Sequence, residues 1–347
     1  MTLQLPVETV PREQRPGLAT GRLVRLMRRC VTEMRIDLAG AVVLTEAATG
    51  PYAVTPVLAA LAGADEVIGI TGPSRHGTVA EVCDQTLELA TAAGVADRVV
   101  VTTESAHTVI ARADVVTNSG HLRPIDRHLV ACMKPTAVLP LMFEAWEIQA
   151  GRVDLDLDGL LRRGIPVAGT NERHRLVDVF SYLPTMAVKL LLDAGTAVRG
   201  TRIALLCDNP FAPYLEHGLR AAGATVRLAT SILEVEPGFE PDVVLVAMRP
   251  RGTPVIDPGQ GAALAARWPD TITTQLWGDL DRALLDTLGV NYWPLEAPAT
   301  GHMAVLPSDI GPEPVVRLQA GGLKVASVLR KPPHNRGTDD LEFLDPL

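Results

Sequence analysis

The chain has 347 residues, 47% of them hydrophobic, enough to build two cores. Its net charge of −8 speaks against a nucleic-acid partner, and an aromatic content of 4% leaves too few rings for a single-strand stacking platform. Cys30, Cys83, Cys132 and Cys207 are widely spaced with no C-x-x-C pair, so they read as reduced thiols of a cytoplasmic protein and not as a disulfide framework or zinc knuckle.

From the start of the chain, residues 1–17 lack a signal-peptide core, and no later apolar run reaches membrane-spanning length, so no membrane partner is expected. The basic run 22–29 (RLVRLMRR) alternates with apolar residues at helical spacing and reads as the solvated face of an N-terminal helical segment over 1–35. A strand at 42–44, a helix at 52–61 ending on Gly63 and a strand at 66–70 then read as the opening of a dinucleotide-binding domain. The turn where G-x-G-x-x-G belongs is Thr45-Glu46-Ala47-Ala48-Thr49-Gly50-Pro51-Tyr52.

A helix over 79–93 follows, with Thr78 as cap and Glu81 at its third position. Strands at 98–102, 114–117, 137–142 and 165–168 alternate with helices at 105–112, 125–132 and 157–163. Residues 176–194 read as one helix kinked at Pro184. The pattern restarts with strands at 202–207, 225–229, 243–246, 272–276 and 290–293, a helix at 214–222 and a last helix near 314–329. The expected class is α/β, with two Rossmann-like doubly wound parallel-sheet domains and an interdomain cleft. The boundaries are 36–175 for the candidate cofactor domain, 176–195 for a linking helix, 196–330 for the candidate substrate domain and 331–347 for a polar tail.

Open parallel sheets bind ligands beyond the carboxyl ends of their strands, so the strand ends supply the candidate site. After the first strand, Thr45, Glu46, Thr49 and Gly50 and the following helix N-terminus suit an anion or ordinary turn chemistry. After the second come Thr71, Ser74, Arg75 and His76, donors with no acid among them, which favours the 2′-phosphate of NADP over NAD. After the fourth, Asn118, His121 and Arg123 share one turn. After the fifth, Glu144 and Glu147 stand three apart on a helical turn, as a base, an amine ligand or a metal ligand would. The second half offers Asp208 and Asn209, then Arg249, and then Glu296 and His302 in the segment EAPATGH. Asp208 and Asn209 replace a glycine-rich turn, which makes this half a poor dinucleotide site. The histidines have no metal-ligand spacing, and the chain has no Walker loop, G-x-S-x-G elbow or P-C-x-x-C, so no metal is expected.

Residues 113–116 (ADVV), 125–129 (IDRHL) and 133–139 (MKPTAVL) resemble the later strands of the cofactor domain in D-2-hydroxyacid (formate/glycerate) dehydrogenases. Residues 155–160 and 163–170 resemble a segment of that family's substrate domain. The likeness covers about a third of the chain in a mosaic order; the family's glycine fingerprint is absent from both halves. At the place of its catalytic arginine stand residues 143–146 (FEAW), and its Glu–His pair maps onto Glu296 and His302. The resemblance implies an NAD(P)-dependent oxidoreductase. With the strand ends, the expectation is an NADP enzyme acting on a small polar, carboxylate-bearing metabolite bound between the domains. His121 or His302 would exchange the proton, and Arg123 or Arg249 would hold the carboxylate. An S-adenosylmethionine transferase is the alternative, because an adenosyl ligand needs no pyrophosphate cradle. An inactive ligand-binding protein is the third reading, and a homodimer the expected assembly.

Overall fold

The β-branched runs VVLTE, EVIGI and VVVT become the parallel strands β1 (Val42–Glu46), β2 (Glu66–Ile70) and β3 (Val99–Thr102), and β4 (Val115–Val116) lies on the other side of β1. The computed structural model describes residues 15–74, 76–149 and 154–347. Arg75, the expected 2′-phosphate contact, lies outside the described residues. Val138 pairs with Val115 and carries the sheet on to β5 (Leu139–Pro140) and its parallel neighbour β6 (Val167–Thr170). The resulting order, 3-2-1-4-5-6, reverses direction between β1 and β4, which makes that gap the ligand-binding crevice of such a sheet. Leu44, Ile68, Val116, Leu122, Ile125, Leu139 and Leu160 form the core on one face.

Local signals set the helices. The capping box of Thr78 and Glu81 starts Val79–Ala93, and Gly94 ends it in the left-handed conformation. Asp126 accepts from the N–H groups of His128 and Leu129 and so starts Arg127–Cys132.

The chain divides into two compact units, Met1–Asp178 with Gly311–Leu347, and Val179–Ile310. This departs from the expected continuous domains, because helix Glu313–Leu329 is buried along nearly its whole length in the first unit. Thr55 Oγ1 donates to Gln319 Oε1 at 3.0 Å. At Gly322 a Cβ would come within 2.2 Å of Met142 Sδ, so a larger residue here would have to push the end of the Met142 side chain aside. The expected polar tail is likewise tied down: Lys324 and Lys331 both bind Asp340, at 2.7 and 2.6 Å, and the short strand Leu344–Asp345 runs antiparallel to β6.

The second unit contains β7 (Arg202–Leu206), β8 (Thr225–Ala229), β9 (Val243–Ala247), β10 (Ile272–Trp277) and β11 (Asn291–Trp293), all parallel in the order β11-β10-β9-β7-β8. Its switch point falls between β7 and β9. Pro184 does not kink a long helix. It sits in the first turn of Leu183–Asp193, where its missing N–H has no partner to lose, after a 3-10 turn at Phe180–Tyr182. Helices Pro258–Arg267 and Arg282–Leu288, not read from the sequence, start on the aspartate caps Asp257 and Asp281. Among the described residues no helix is long and apolar enough to cross a membrane.

Candidate functional site

The crevice of the first unit is built from the ends of β1, β2 and β4. β1 ends in Glu46, whose carboxylate stands against Gly120 in the turn after β4: a Cβ at Gly120 would lie 1.6 Å from Glu46 Oε1. Burial pushes the Glu46 pKa up, and only the charge of Arg123 pulls against it. Thr45 and Thr117, one strand apart, share a hydrogen bond of 2.8 Å, and Thr117 meets Ser119 at the same distance. The Thr71 hydroxyl and both ends of the Asn118 amide are buried without any hydrogen-bond partner. The His121 ring lies beside Gly72, where a Cβ would be 3.5 Å from its Cε1. Arg123 donates to Asp154 at 3.3 Å.

Of the sequence-derived candidates, the fold therefore gathers Thr45, Glu46, Thr71, Asn118, His121 and Arg123 at one crevice. Thr49, Gly50, Ser74 and His76 serve the neighbouring loops: Thr49 Oγ1 donates to the His76 carbonyl at 2.8 Å, and the His76 N–H donates to Ser74 Oγ at 3.1 Å. The Gly50 N–H donates to Gln85 Oε1 at 2.9 Å, and Pro51 has no N–H. Thr117 and Ser119 were missed by the sequence reading, although they flank Asn118 in the same T-N-S-G turn.

A nicotinamide dinucleotide asks such a crevice for polar partners to its base, carboxamide and ribose, and for free backbone N–H groups to its pyrophosphate. The Asn118 amide and Thr71 hydroxyl fit the first need. The second is not met at this turn, because Gln85 already takes the Gly50 N–H and the Glu46 carboxyl stands at the strand end.

Glu144 does not offer the acid–base role expected of it. It is 1% exposed, and both its oxygens are taken, by Arg173 Nε at 3.0 Å and Trp146 Nε1 at 2.7 Å. Burial raises its pKa while Trp146 and Arg173 act to lower it, as befits a carboxyl that anchors two elements. Glu296 and His302 belong to the second unit, exposed on the loop after β11, and among the described residues no hydrogen bond or ion pair joins them. Among the described residues no group of three His, Cys, Asp or Glu side chains is placed to hold a metal.

The switch point of the second unit is filled by its own side chains. Asn209 donates to the Ala247 carbonyl at 2.7 Å and accepts from the Phe211 N–H at 3.0 Å. Asp208 accepts from the Arg249 N–H and from Arg251 Nη2, each at 2.7 Å; burial raises its pKa, but these hydrogen bonds outweigh it and hold the group below its ordinary value. Arg249 thus helps close this turn through its backbone. The turn that replaces a glycine loop is a strap across β7 and β9.

No protein-family model matches the chain, and no curated protein sequence does either. Solved structures do. A dipicolinate synthase chain from Bacillus halodurans superposes with a TM-score of 0.54 at 10% identity, over 85% of this chain and 99% of that one. Its counterpart from Bacillus subtilis gives 0.53 at 11%, over 82% and 95%. NAD⁺-bound 3-phosphoglycerate dehydrogenase from Entamoeba histolytica gives 0.45 at 10%, over 82% and 93%. The chain is similar in fold to the two dipicolinate synthase chains.

Proposed function

We propose that this protein is an NAD(P)-dependent oxidoreductase of a small polar, carboxylate-bearing metabolite, with the cofactor's base and ribose at the crevice of the first unit. The observation that carries the reading is the Asn118 amide, buried with donor and acceptor both unmet at the switch point of a 3-2-1-4-5-6 sheet. A buried polar group without a partner costs about 1–3 kcal/mol, so a ligand that meets both ends recovers a large term. An amide matches a carboxamide or the edge of adenine in both donor and acceptor. In this reading His121 exchanges the substrate proton and Arg123 holds its carboxylate.

The capped Gly50 N–H favours a second reading, an adenosyl cofactor such as S-adenosylmethionine, which presents no pyrophosphate. Calorimetry of the full chain with NADP, NAD and S-adenosylmethionine separates the two. Binding of NADP or NAD, weakened about tenfold or more by Asn118→Leu, is the expected result. Binding of S-adenosylmethionine with neither dinucleotide would replace the first reading by the second. If Arg75 meets a 2′-phosphate, Arg75→Ala weakens NADP more than NAD; equal losses would remove that preference.

A further inference from the structure

We infer that the second unit carries a separate binding site for a small zwitterion, an α-amino acid, at the carboxyl ends of β9, β10 and β11. A cavity of about 230 Å³ lies there, lined by Thr253 after β9, by Gln275, Asp279 and Arg282 on and after β10, and by Thr300 after β11. That is the edge of an open parallel sheet where ligands bind, and it is displaced from the strap that fills the switch point. The inference is independent of the crevice in the first unit.

Two opposite charges line this cavity, each half-satisfied by the protein. Asp279 Oδ1 accepts from the Gly301 N–H at 3.0 Å, while Oδ2 is buried with no partner. Arg282 is clamped by Nη2, which donates to Gln275 Oε1 at 2.8 Å and the Pro294 carbonyl at 2.9 Å, and by Nε, which donates to the Leu295 carbonyl at 3.2 Å. Its Nη1 makes no hydrogen bond to the described residues. The charge of Asp279 acts on Arg282, and among the described residues the two form no ion pair. A carboxylate and a guanidinium fixed by other partners, lining one small cavity without touching, are complementary to a ligand that carries an ammonium and a carboxylate together. Thr253, Gln275 and Thr300 add polar groups for a short hydroxylated side chain.

L-Serine is the probe. L-Lactate has a hydroxyl where L-serine has its ammonium and a methyl where it has its hydroxymethyl, and ethanolamine lacks the carboxylate, so each removes one of the two charged groups. Calorimetry of the full chain should show L-serine binding about tenfold or more tighter than either. Asp279→Asn should weaken L-serine by about tenfold while changing L-lactate much less. Thr300→Trp, which adds bulk to the cavity wall and leaves Asp279 and Arg282 in place, should abolish binding and decides the matter if Asp279→Asn fails to fold. No heat with L-serine, equal binding of L-lactate, or L-serine binding unaltered in Thr300→Trp would each overturn the site.

Discussion

Each unit places an asparagine at its sheet's switch point, and the two live in opposite circumstances. Asn209 is bonded at both ends, to the Ala247 carbonyl and from the Phe211 N–H, and with Asp208 it ties β7 to the end of β9. Asn118 is buried and bonded at neither end. Side chains of one residue type at the topologically equivalent gap have thus been turned to two uses. One completes the fold, and the other leaves the fold short of two hydrogen bonds that a ligand can supply. A fold-level likeness to solved structures does not distinguish the units; the state of their polar atoms does.

The largest expected effect tests the filled side. Asn209→Leu strands the Ala247 carbonyl and the Phe211 N–H, and the second unit should lose about 2–4 kcal/mol, read as a drop in its urea midpoint. A loss within error would mean that the strap is not structural. On the open side, Gly120→Ala drives a Cβ into the Glu46 carboxyl at a residue with φ near +40°, so about 1–3 kcal/mol of stability and the geometry of Glu46 should go together. Asn118→Leu should behave in the reverse sense. Deleting two unmet polar atoms for a side chain of similar volume should leave stability unchanged or raise it by up to about 1 kcal/mol, while ligand binding falls. Matching losses in Asn118→Leu and Asn209→Leu would erase the contrast between the units.

Strand positions were legible because β-branched runs such as VVLTE and EVIGI are self-announcing, and Thr78 with Glu81 announced a helix start. The candidate site was legible only as strand ends: Glu46, Thr71, Asn118, His121 and Arg123 came from that rule alone, and the fold places them at one crevice. Pairing across sequence distance was not legible. Nothing near Glu144 signals that Arg173 will take one of its oxygens, and no local pattern tells that helix Glu313–Leu329 returns to the first unit, although Gly321-Gly322 inside an apolar helix is the trace of a close approach. Nor does composition tell a bonded asparagine from an orphaned one, since both stand in polar turns after apolar strands.

The smallest effect is in pH, and its sign separates the two crevices. Glu46 has its folded-state pKa raised by burial, so between its ordinary value of 4.5 and the raised one the folded chain holds more protons than the unfolded chain. Its contribution is complete in acid and is lost as pH rises through the folded value. Glu46→Gln removes that loss, so the variant should gain on the wild type as pH rises through this window. Asp208 has its folded-state pKa depressed by the Arg249 N–H and Arg251, so its contribution is present above its ordinary value of 3.8 and is lost as pH falls through the depressed one. Asp208→Asn should therefore trail the wild type at neutral pH and approach it in acid. Urea midpoints of both variants across the acid-to-neutral range read the two slopes directly, and slopes of the same sign would show that Glu46 has a partner in solution that its crevice does not itself provide.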